Sequence, residues 1–91
     1  MAGLSVQEAK KIGFNEEVSA LHLHVQTEVL TRGGLFVRTT VLAAGVVKHA
    51  AINPVPEGIT DMPTFVALVR SQHQRCVEHL KTAGASWLES I

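Results

Sequence analysis

The residues HQRCVEH, positions 73–79, bring two histidines and the only cysteine of the chain within seven positions. Imidazole and thiolate groups bind transition metals, move protons near neutral pH and attack electrophiles. Spacing narrows these options. On a helix, His73–Cys76 and Cys76–His79 each lie three residues apart and share a side, whereas the two histidines, six apart, do not. The i, i+4 histidine pair of a helical metal site is missing here, and three ligands drawn from this one helix would be strained. Neither a metal nor a cofactor is expected. His73 falls four residues after Val69 and three before Cys76, in the middle of an apolar stripe, so it reads as a buried neutral imidazole holding a hydrogen bond. Cys76 reads as a small buried hydrophobe, with adjacent Arg75 and the histidines the only hint of thiolate activation.

Three further polar groups are candidates. Arg38 and His49 lie eleven residues apart in LFVRTTVLAAGVVKHAAINP, a segment otherwise almost wholly apolar. Wound as a helix, it gathers Arg38, Gly45 and His49 on one narrow stripe. Buried polar groups cost several kcal/mol, roughly 2–7, unless they are paired. Arg38, His49 and His73 are therefore expected to meet each other, Glu28, backbone or water. Together with Cys76 they would form a small, positive, partly apolar pocket for a carboxylate or another anion. His22 and His24 lie close to Glu28 in sequence, and on a helix His24 and Glu28 form a solvated i, i+4 pair.

Four segments must position these groups. SVQE, from Ser5, reads as a capping box opening a short helix that Gly13 ends, an arm or lid on the body. NEEVSALHLHVQTEVLTRGG supports two readings. As a helix it is capped by Asn15, carries Glu16 and Glu17 in its first turn and ends at Arg32-Gly33-Gly34. As a strand, LHLHVQTEV alternates apolar and polar residues and TRGG turns a hairpin. The caps at both ends favour the helix. The third segment is β-branched at its front and alanine-rich behind, ending before Pro54. Read as a helix apolar nearly all round, it belongs in a bundle or at a subunit contact. NPVPEGITDMP is a loop. Pro63 then opens the clearest helix, running to about Ala83, with Phe65, Val69, Cys76 and Leu80 on one face and Arg70, Gln74, Glu78 and Lys81 on the other. Gly84 ends it, and Trp87, Leu88 and Ile91 in the tail are expected to dock on the body or on a neighbouring subunit.

The fold expected is all-α, a single domain over 1–91 built as a bundle of three main helices plus a short N-terminal helix. The alternative is α+β, with a β-hairpin from residues 18–30 and 35–43 packed on the C-terminal helix.

Composition bounds the function. Eight basic residues balance eight acidic ones without a run of either sign, so neither a counterion-displacing nucleic-acid face nor attraction to a membrane surface is expected. A helix-turn-helix from segments two and three fails because its recognition helix is apolar where base edges need polar groups. The N-terminal residues read as no signal peptide, the apolar stretches are too short or too charged to span a bilayer, and one cysteine forms no internal disulfide, which together point to the cytoplasm. Apolar residues make up 46% and charged residues 18%, against about 25% charged in ordinary soluble domains. A chain of this size has little interior in which to hide them. A homo-oligomer is expected, with a subunit contact covering the excess. The function expected is a non-enzymatic interaction or regulatory module that self-associates through apolar helix faces, with a possible protein partner. The competing reading is a small-ligand or metal-binding protein or enzyme using Arg38, His49, His73 and Cys76, for which no spacing identifies a reaction.

Overall fold

A computed structural model of the chain describes residues 4–84. A short helix α1 (Val6–Ala9) leads into strand β1 (Gly13–Val18). A single 3-10 turn (Ser19–Leu21) then precedes β2 (Leu23–Leu30), β3 (Phe36–Ala43), β4 (Val46–Pro54) and the long helix α2 (Met62–Ala83). The strands form one antiparallel sheet in the order β1-β2-β3-β4, and α2 crosses the face of that sheet over β1, β2 and β3.

This is an α+β fold and not the three-helix bundle expected. Residues 35–52 do not coil; they supply β3, a two-residue turn and most of β4. Residues 15–32 likewise supply most of β1, the 3-10 turn and β2. The hairpin alternative accounts for β2 and β3 but leaves out β1 and β4. Strand periodicity decided the outcome. In β2, Leu23, Val25, Thr27 and Val29 are buried in strict alternation, and in β3 Val37, Thr39 and Val41 do the same. Each strand thus offers one apolar face to α2, and the β-branched side chains suit the pleated surface. The alanine-glycine pair that suggested a helix is instead the turn between β3 and β4. Ala44 and Gly45 have φ of 52° and 80°, the left-handed pair of a tight hairpin whose twist matches its strands. Gly33 and Gly34, also at positive φ, turn the chain between β2 and β3.

The helix ends follow sequence logic. Asp61 caps α2 by accepting from the Thr64 amide at 3.0 Å, Pro63 occupies its first turn, and Gly84 closes it, its N–H donating to the Leu80 carbonyl at 2.8 Å. Ser5 caps α1 by accepting from the Glu8 amide, but α1 stops at Ala9, and Gly13 begins a strand instead of ending a helix. Phe65, Val69, His73, Val77 and Leu80 form the buried stripe of α2. The expected docking of Trp87, Leu88 and Ile91 lies outside the described residues. No described helix is long and apolar enough to cross a membrane.

The core has two parts. Val25, Val41, Val77 and Leu80 belong to one cluster, joined by Val18 and Leu23. Val29, Val37, Phe65 and Val69 belong to the other, which also buries Ala9 of α1. Between them the sheet carries two threonines and the helix carries His73.

Candidate functional site

Thr27 and Thr39 are directly paired across β2 and β3. Both occupy inward positions of their strands, so their hydroxyls face the core, with Oγ1 atoms 2.9 Å apart. His73 on α2 is placed above them by the same stripe that buries Val69 and Val77, and its Nδ1 lies 2.8 Å from Thr27 Oγ1. One turn-neighbour away, Gln72 donates from Nε2 to Thr39 Oγ1 and to the Val37 carbonyl, each at 3.1 Å. Its Oε1 accepts from Asn53 of β4 at 3.2 Å. On the other side His73 Nε2 faces Glu16 of β1 at 3.6 Å, near enough for attraction though too long for a hydrogen bond. A chain of polar groups thus runs Glu16–His73–Thr27–Thr39–Gln72–Asn53 and touches all four strands.

The donors fix its direction. Both Gln72 amide hydrogens are used, so Thr39 accepts from Gln72 and donates to Thr27, and Thr27 donates to His73 Nδ1. This requires a neutral imidazole protonated at Nε2, toward Glu16. Burial lowers the His73 pKa, with Glu16 acting in the opposite sense, and protonation at Nδ1 would additionally reverse the hydroxyl chain against Gln72. No buried side-chain polar atom among the described residues is left without a partner.

A hydroxyl, an imidazole and a carboxylate in sequence resemble the order of a nucleophilic triad. Burial argues for a different role. Thr27 and His73 are 1% and 2% exposed, so no substrate carbonyl reaches the hydroxyl. The chain holds sheet and helix in register.

Accessible polar chemistry lies beside it. Because α2 rides over β1 to β3, the inward side of β4 is uncovered, and a groove of about 530 Å³ opens between β4 and the flank of α2. His49, Ala51 and Asn53 line its strand wall, and Leu68, Arg75, Cys76 and His79 line its helix wall. The hydrogen bond between Asn53 and Gln72 bridges the two walls. Burial raises the Cys76 pKa, which holds the thiol in its protonated, weakly nucleophilic form.

The four sequence candidates are therefore divided. His49 and Cys76 both line the groove, one on each wall. His73 sits beside it in the core, tied to it through Thr27, Thr39 and Gln72. Arg38 does not join them. On a strand it alternates with Val37 and Thr39, which turns it to the opposite face of the sheet, where it pairs with its cross-strand neighbour Glu28, Nε to Oε1 at 3.0 Å. Their side chains are 38% and 40% exposed, and an ion pair so open to solvent adds little stability. The helical stripe of Arg38, Gly45 and His49 dissolves with the helix, and His24 bonds Asn15 and not Glu28. Sequence reasoning passed over Thr27, Thr39 and Gln72. The available signal was a threonine in the apolar phase of each of two adjacent strands, a signal that exists only once both are read as strands. Among the described residues no group of three or more His, Cys, Asp or Glu side chains is arranged to hold a metal ion.

Comparison with family models, curated proteins and solved structures gives no significant match to this chain.

Proposed function

We propose that this protein is a non-enzymatic interaction module that self-associates through the edge strand β4, in place of the helix faces expected from sequence. One observation carries the reading. Of the four exposed large hydrophobics among the described residues, three lie on β4: Val46 at 56%, Val47 at 58% and Ile52 at 54% exposure. β4 is the last strand of the sheet, nine residues long, and an edge strand presents a row of backbone donors and acceptors to a further strand. Natural edges are commonly guarded by charges or shortened. Here Lys48 is the single charge of the strand, and Pro54 stands at its end. An antiparallel contact of β4 with β4 about a two-fold axis is self-complementary, as isologous dimers require, and it extends the sheet while covering the exposed valines. Burial of Thr27 and His73 also favours a structural over a catalytic use of the polar chain.

Light scattering coupled to size exclusion tests this reading. The expected result is a dimer for the native chain and a monomer for the double variant Val47→Lys/Ile52→Lys, with an unchanged circular dichroism spectrum. A native chain that is strictly monomeric at high concentration removes the reading.

A further inference from the structure

The groove beside β4 has two chemically different ends. Val41 belongs to the core cluster that holds Val77 and Leu80, and Val37 to the one that holds Phe65 and Val69. Since His49 pairs with Val41 and Asn53 with Val37, β4 runs antiparallel to α2 along the groove. His49 therefore lies toward the His79 end, and Pro54 toward the Leu68 end. Leu68 to His79 rises about 16 Å along a helix, and His49 to Pro54 spans about 17 Å along a strand, so the walls match in length.

One end is apolar, walled by Leu68, Pro54 and Pro56, and the other is basic, walled by His49, Arg75 and His79. Among the described residues no aspartate or glutamate lines the groove. The Gln72–Asn53 bridge crosses the groove nearer its Leu68–Pro54 end, and the Gln72 amide is fully engaged there.

We propose that this groove binds a small amphipathic carboxylate, its head on Arg75 between the two histidines and its apolar chain running toward Leu68. The size falls within the 300–1,000 Å³ of ordinary small-ligand clefts, at about 530 Å³. Arg75 offers the planar fork that pairs with a carboxylate through two parallel hydrogen bonds. The gradient from cationic to apolar excludes two simpler ligands: an inorganic anion leaves the apolar end empty, and an alcohol leaves the fork unmatched. The proposal is independent of pairing through β4.

The test uses the full chain and the Val47→Lys/Ile52→Lys chain, with hexanoate as probe and hexan-1-ol, acetate and inorganic phosphate as controls. Binding is read by calorimetry and by the rate at which Cys76, the one thiol and a groove residue, is alkylated. Hexanoate is expected to bind both chains, slow alkylation several-fold and exceed each control in affinity at least tenfold. Arg75→Glu, an exposed position, is expected to remove the effect with the fold intact, and Leu68→Glu to weaken it. Three results overturn the proposal: no hexanoate binding, binding unchanged in Arg75→Glu, or equal affinity for hexan-1-ol.

Discussion

At the scale of single residues, the informative atom is His73 Nδ1. It accepts from Thr27 and thereby commits the buried hydroxyls to one direction. Thr27→Val keeps the volume but strips that acceptor of its donor and Thr39 of its acceptor. A buried group left unpaired costs about 1–3 kcal/mol, and urea unfolding of the variant at pH 7.5 is expected to show a loss of that size. The same atom sets a pH dependence. The His73 pKa is lowered in the folded state, so as pH falls below the unfolded value of about 6.5 the unfolded chain takes up this proton first. Its contribution is fully present above that pH and is lost as pH falls toward the folded pKa. The native chain is expected to lose stability between pH 7.5 and 5.5, and His73→Gln to lose measurably less over the same interval. Cys76, with its pKa raised by burial, contributes no comparable titration in that range.

At the scale of elements, the turn at Ala44-Gly45 converts an alanine-rich stretch into a hairpin. Ala44 holds a left-handed conformation, φ 52°, that an L-residue adopts at a cost of about 1–2 kcal/mol. The β3–β4 ladder and the burial of Val41 outweigh it. Ala44→Gly relieves the strain, less the greater chain entropy glycine loses on folding, so a gain of about 0.5–1 kcal/mol is expected in chemical denaturation. Helix α2 is the reverse case, an element whose local signals all agree. Asp61 caps it, Pro63 opens it, Gly84 closes it, and its apolar stripe has helical spacing throughout. Where propensity, capping and pattern coincide, the element was legible from residues alone. Residues 15–52 carried contradictory signals: caps and alanines for helix, alternation and β-branching for strand.

At the scale of the whole molecule, a single helix cannot cover both faces of a four-stranded sheet, nor all of one. It covers β1 to β3 and leaves β4 with its exposed valines and isoleucine at the edge, and with a groove on its inner side. An apolar fraction of 46% in so short a chain has this consequence: part of it stays outside. If β4 pairs between two copies, folding is linked to association, and stability depends on protein concentration. The urea midpoint of the native chain is expected to rise with concentration, whereas that of Val47→Lys/Ile52→Lys stays constant.

The amino-acid order alone determined the C-terminal helix with its opening Pro63 and closing Gly84, the inward placement of His73, the balance of charge and the surplus of apolar side chains. These are properties of residues within a few positions of one another, or of composition. Tertiary structure decided whether residues 15–52 became helices or strands, because a strand is stabilised by a partner far along the chain and the partner cannot be seen in the strand's own residues. That decision moved Arg38 to the far face of the sheet, set Thr27 and Thr39 beneath His73, and put His49 and Arg75 on the two walls of an open groove.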